Sequence, residues 1–146
     1  MSKYLIKKGE ILKIYTDGAA RGNPGPAACA FLFVHNDTII HQDVSFIGKA
    51  TNNQAEYQAI INALKAAYSF HKGHLQIFSD SNLAIQQINK NWKINYPHLS
   101  KLCSKVYQLS KKYEKVEFFH IERNNQFIQK CDKLCNDKLD DEGFIE

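Results

Sequence analysis

The sequence predicts an α/β domain, a mixed five-stranded sheet with helices packed against its faces. Three observations carry that expectation. The first third of the chain is β-branched and aromatic, with turn signals between its runs. The apolar spacing then switches to that of a helix with one buried face. The second half alternates short strand-like runs with helical ones, which implies parallel additions to the sheet.

The elements follow in order. Residues 11–16 (ILKIYT) read as a strand ending at Asp17-Gly18, and ARGNPGP after it is a dense turn segment. ACAFLFV (28–34) and TIIHQDVSFI (38–47) read as two more strands, joined at His35-Asn36-Asp37 in a tight antiparallel turn. From Asn53 to Phe70, Tyr57, Ile60, Ile61, Leu64, Ala67 and Tyr68 recur at helical spacing, with Thr51 or Asn52 as the cap. LQIFS (75–79) is a short strand, and Asp80-Ser81 opens a helical stretch from Asn82 to Asn89. Pro97 lies near the start of a helix reaching Tyr113, with Leu99, Leu102, Val106 and Leu109 inward and lysines outward. VEFFHI (116–121) reads as the final strand, and Phe127, Ile128, Cys131, Leu134 and Cys135 mark a closing helix.

No repeat or linker interrupts this pattern, so the 146 residues, 44% of them apolar, are expected to form one domain over 1–146. The longest apolar run, Ala27 to Val34, is eight residues, against the ~20 that a membrane span needs. The start, MSKYLIKKGE, has no apolar stretch of signal-peptide length, so a cytoplasmic monomer with no membrane partner is expected. Cys29, Cys103, Cys131 and Cys135 are then reduced thiols in the core rather than disulfides, and Cys131 and Cys135, whose nearest histidine is His120, fit no familiar zinc spacing. The net charge of +4 is unevenly placed: residues 90–115 hold seven lysines and one acid, Glu114, whereas the tail from Asp137 holds five acids. One positive surface suits a polyanion, and equally a solvated helix face.

Four acids stand at seams between elements. Asp17 ends a strand and begins a turn, where Asp is favoured for local reasons, and Asp80 occupies an N-cap position. Glu56 lies in the first turn of its helix, where the macrodipole favours a negative charge. At 100° per residue, however, it falls beside the apolar stripe near Ile60 and Ala63, and Asp132 likewise aligns with Ile128 beside Cys131 and Cys135. Both are expected to point toward the core edge. Asp17 and Asp80 end strands on the edge where open α/β sheets place ligands. Four carboxylates in one cleft repel unless cations neutralise them, and oxygen-only ligation selects Mg²⁺ or Mn²⁺ over zinc or copper. Two such ions about 4 Å apart suit in-line hydrolysis of a phosphodiester.

At this point YTDGAARGNPGPAA, TNNQAEYQAIINAL, IFSDSNLAIQQI and KCDKLCNDKL resemble, in order and spacing, the four motifs of the ribonuclease H type 1 family, from about Ile11 to Leu139. The resemblance implies the ribonuclease H-like fold, with strands 1–3 antiparallel and strands 4 and 5 parallel to strand 1. It implies the catalytic and metal-binding acids Asp17, Glu56, Asp80 and Asp132, the backbone of Gly18 beside the metals, and cleavage of the RNA strand of an RNA/DNA hybrid to 3′-hydroxyl and 5′-phosphate ends. Substrate contacts fall on Gly18, Ala19, Ala20, Asn23, Asn52, Asn53, Gln54 and Asn82, with helix capping the alternative for Asn52 and Asn53. Gly22, Pro24, Gly25 and Pro26 shape the hairpin.

Two departures stand out. Long bacterial members insert a basic helix and loop where this chain has the compact NKNWKINYPHLSK. Trp92 and Lys93 there are candidates to contact the DNA strand, the alternative being a core or hinge tryptophan. The loop HIERNNQFIQKCD lacks the mobile histidine of many members, which leaves Arg123, Asn124 or Glu122 as a catalytic helper. The rival readings are a non-catalytic hybrid-binding module, another nuclease of this fold, and a domain cut from a reverse transcriptase. The initiator methionine and retention of all four acids favour a free-standing enzyme.

Overall fold

The structure is a computed structural model that describes residues 6–145. Nine elements follow one another: β1 (Ile11–Ala20), β2 (Gly25–His35), β3 (Thr38–Ala50), α1 (Asn52–Ala67), β4 (His74–Ser79), α2 (Asn82–Ile88), α3 (Pro97–Ser110), β5 (Lys115–His120) and α4 (Gln126–Asp141). The strands form one sheet in the order β3-β2-β1-β4-β5. β1, β2 and β3 pair antiparallel, whereas β4 pairs parallel with β1 and β5 parallel with β4. The mixed sheet expected from the sequence is the one observed.

Each face of the sheet has its own core. Leu12, Ile14, Phe31, Phe33, Leu75 and Ile77 pack on the side of α1, α2 and α3, whereas Tyr15, Ala28, Ala30, Leu32 and Val34 pack under α4. β2 is therefore buried on both faces, which is why its sequence is a continuous apolar run instead of an alternating one. α4 buries Ile128, Cys131, Cys135 and Leu139, one stripe of an otherwise polar helix. All four cysteines are free and buried, as small apolar side chains should be. Among the described residues no helix is long and apolar enough to cross a membrane.

Several boundaries differ from the sequence expectation. β1 does not stop before Asp17 but continues to Ala20, because its small residues keep pairing with β2, Asp17 opposite Ala30 and Gly18 opposite Cys29. β2 starts at Gly25 and β3 runs on to Ala50, leaving only residues 21–24 as the turn, with a cis peptide at Asn23-Pro24. The cap of α1 is Thr51, whose hydroxyl accepts from Gln54 N at 3.1 Å while Gln54 Oε1 accepts from Thr51 N at 2.8 Å, a full capping box. The cap of α2 is Ser81 and not Asp80. α4 is capped by Asn125 and continues past Cys135 to Asp141.

Candidate active site

Strand pairing delivers two acids to one edge. The last parallel pair of β1 and β4 is Thr16 with Ser79, so Asp17 and Asp80 are the next residues of neighbouring strands. Beyond that pair the chains part, since β1 stays with β2 while residue 80 leads into α2. The crevice opens at the switch between antiparallel and parallel neighbours, where such sheets place their ligands.

The third acid arrives through a close approach of backbone. A Cβ on Gly18 would lie 2.3 Å from the Ala55 carbonyl carbon and 2.6 Å from Glu56 N, so only glycine lets α1 rest against β1 here; because α1 starts at Asn52, Glu56 stands beyond the first turn in which the sequence placed it. The Gly18 N–H then donates to Glu56 Oε1 at 2.6 Å. One carboxylate oxygen from each of Asp17, Glu56 and Asp80 lies within 4.8 Å of the others.

Burial and like charge act together on this cluster. Asp17 is 5% exposed. Burial first, then the Asp80 and Asp132 charges, push its carboxyl up to about 8. Burial and the charges of Asp17 and Asp80 push Glu56 up as well. Asp80 Oδ2 accepts from Arg123 Nε at 3.2 Å, while its Oδ1 is buried with no hydrogen-bond partner. A buried carboxylate oxygen left unpaired is costly. Three converging carboxylates with one bare oxygen, and no nitrogen or sulfur donor among them, fit a hard divalent cation.

These groups line a cleft of about 830 Å³. Of the residues singled out from the sequence, Asp17, Gly18, Ala19, Asn52, Asn53, Glu56, Asp80, Asn82, Arg123, Asn124 and Asp132 line it. Ala20 and Asn23 stand behind it: Asn52 Oδ1 accepts from Ala20 N, and Asn23 Oδ1 accepts from Asn52 N, both at 3.0 Å. The Gln54 side-chain Oε1 is engaged in the capping box. Trp92, 46% exposed, and the exposed Lys93 lie outside the cleft lining, so neither is a core residue. Asp132 is exposed, not turned toward the core edge as its alignment with Ile128 suggested. It stands outside the three-acid cluster, because the buried stripe of α4 passes beside it through Ile128, Cys131 and Cys135. Ser81, Leu83 and Gln129 also line the cleft and were not singled out beforehand. Gln129 is one helical turn before Asp132, a spacing from which it could have been inferred.

A carboxylate cluster at the switch point of this sheet fits a divalent-cation site, and known proteins share its fold. The family described as "Reverse transcriptase-like" matches residues 15–137. Ribonuclease HI of Halobacterium salinarum is 37% identical over 135 residues, covering 92% of this chain and 67% of that protein. The crystal structure of RNase H1 from that archaeon superposes with a TM-score of 0.85, covering 90% of this chain and 98% of that one. LC11-RNase H1, isolated from compost and solved in complex with an RNA/DNA hybrid, gives 0.84 at 31% identity, over 90% of this chain and 98% of that one. A bifunctional protein of Mycobacterium tuberculosis is 31% identical over 129 residues, 87% of this chain but 35% of that protein. The chain belongs to the ribonuclease H family and is a ribonuclease H enzyme.

Proposed function

We propose that this protein cuts the RNA strand of RNA/DNA hybrids endonucleolytically with two divalent ions, Mg²⁺ or Mn²⁺. The observation that carries the reading is the convergence of Asp17, Glu56 and Asp80 within 4.8 Å in an open cleft edged by amides. A water oxygen bonds to phosphorus and gives up a proton as the P–O3′ bond breaks, and the released O3′ takes up a proton, giving 3′-hydroxyl and 5′-phosphate ends. When bound, the ions polarise the attacking water and neutralise the departing oxygen. Asp17, Glu56, Asp80 and Asp132 would hold them.

The remaining residues bind and orient. Gly18 and Ala19 offer backbone groups, and Asn52, Asn53 and Asn82 offer amides, to the ribose 2′-hydroxyls that separate RNA from DNA. Asn23 and the Ala20 N–H fix Asn52, and Gln54 holds the turn beneath it. Arg123 and Asn124 face the cleft from the loop before α4, where a guanidinium suits a phosphate. Trp92 and Lys93, exposed outside the cleft, are the candidates to contact the DNA strand. The hybrid-bound relative supports the substrate.

The test incubates the protein with labelled hybrid, duplex RNA, duplex DNA and single-stranded RNA, with Mg²⁺, with Mn²⁺ and with chelator. Metal-dependent cutting of RNA in the hybrid alone is expected. Tight hybrid binding without cutting would make it a non-catalytic module, and cutting of DNA would make it another nuclease of this fold.

A further inference from the structure

Arg21 follows β1 at the turn into β2, and its side chain is 13% exposed. Its guanidinium gathers acceptors from α4 and the residues just beyond it. Nη2 donates to the carbonyl and to Oδ1 of Asn136, each at 3.2 Å, and Nη1 donates to Asp140 Oδ1 at 2.7 Å and to the Phe144 carbonyl. Asn136 in turn donates from Nδ2 to the carbonyl of Asp132 at 3.0 Å. A path of hydrogen bonds thus joins the hairpin behind the cleft to the backbone of α4 at Asp132, on the opposite wall.

We propose that Arg21 is a positioning residue that fixes α4 over β1 so that Asp132 stands opposite Asp17, Glu56 and Asp80; this rests on the assignment of Asp132 to the site. The apolar stripe of α4 cannot do this alone, because apolar burial is non-directional. The polar contacts of α4 to the catalytic strand are thiols, Cys131 Sγ to the Tyr15 carbonyl at 3.4 Å and Cys135 Sγ to the Asp17 carbonyl at 3.7 Å, both weak donors. A planar guanidinium with several acceptors defines a direction that neither contact supplies. An exposed acid on a helix needs such a constraint, since small misplacements of a reacting group are costly.

The test compares Arg21→Ala, Arg21→Lys, Asn136→Ala, Asp132→Asn and Arg21→Ala/Asp132→Asn, each verified as folded by circular dichroism. Hybrid cleavage gives kcat and KM, and Mn²⁺ calorimetry without substrate gives metal affinity. Arg21→Ala should lower kcat and Mn²⁺ affinity about tenfold or more, the range for residues that orient metal ligands, with KM little changed. Arg21→Lys and Asn136→Ala should fall between it and the unmodified protein. In the Asp132→Asn background Arg21→Ala should lower Mn²⁺ affinity no further. If Arg21→Lys and Asn136→Ala lower stability while kcat and Mn²⁺ affinity hold, or if the two losses of affinity multiply, the proposal is overturned alone. If Asp132→Asn keeps normal kcat, the assignment of Asp132 falls and the proposal with it.

Discussion

The two walls of the cleft carry the same chemical group in opposite surroundings. On the inner wall Asp17, Glu56 and Asp80 come from strand ends and a helix turn whose positions are set by backbone register, and Asp17 and the Asp80 side chain are almost sealed from water. On the outer wall Asp132 is exposed, carried by a helix docked through a narrow stripe, next to the exposed Arg123 and Asn124. Charge on the inner wall is held against desolvation and mutual repulsion, which is unfavourable until a cation arrives. Charge on the outer wall is solvated, so its position and not its burial decides what it contributes. Function here draws on a desolvated interior and a solvated exterior that meet across one crevice.

That contrast can be broken at its strongest point first. Asp17→Asn should reduce hybrid cleavage about a thousandfold or more, given the several kcal/mol that metal ions supply to such transition states, with hybrid affinity by gel shift nearly retained. Near-normal turnover would remove the inner wall from the chemistry. Gly18→Ala should cost about 1–3 kcal/mol of stability in denaturant titrations, because its methyl group collides with the backbone of α1. A neutral result would mean that α1 can withdraw without loss.

Titration sharpens the contrast next. Asp17 keeps its proton up to about 8 in the metal-free fold, against 3.8 in an unperturbed chain. Between those values the unfolded state holds fewer protons, so stability falls as pH rises through that window. The melting temperature of chelated protein should drop by several degrees from pH 5 to pH 8. Mg²⁺ should oppose the drop by binding the folded state, and Asp17→Asn should flatten it. Asp132→Asn should leave stability within about 0.5 kcal/mol, as for ordinary exposed sites, yet lower turnover. A small stability effect is also expected for Arg123→Ala, whose 89%-exposed side chain forms an ion pair worth at most about 1 kcal/mol. Unfolding curves that overlay those of the unmodified protein would agree.

Much of this was readable beforehand because it is local. The run ACAFLFV (28–34) marked a strand, though only the structure shows it buried on both sides, and helical spacing from Tyr57 to Ala67 required α1. The anomaly of an acid beside an apolar stripe picked out Glu56, which the fold brings to Asp17 and Asp80. The same reasoning misplaced Asp132, because a helical wheel gives the angle of a side chain but not where the neighbouring strand ends. It also stopped β1 at Asp17, since turn-prone residues in GAARGNP pair with β2 only once β2 is present. Asp80 looked like a cap, yet Ser81 performs that role and leaves Asp80 free for the cleft.

By itself the sequence determined the order of strands and helices, the four acids with their amide neighbours, and the family they resemble, because periodicity, turn chemistry and motif spacing act within a few residues. Only the tertiary structure decided which of those acids share a buried cluster and which stays in water. That division depends on the parallel register of β1 with β4, on the methyl-free contact at Gly18, and on the seating of α4 through Arg21. Each is a contact between segments distant along the chain, whose free energy exists only when both surfaces are folded together.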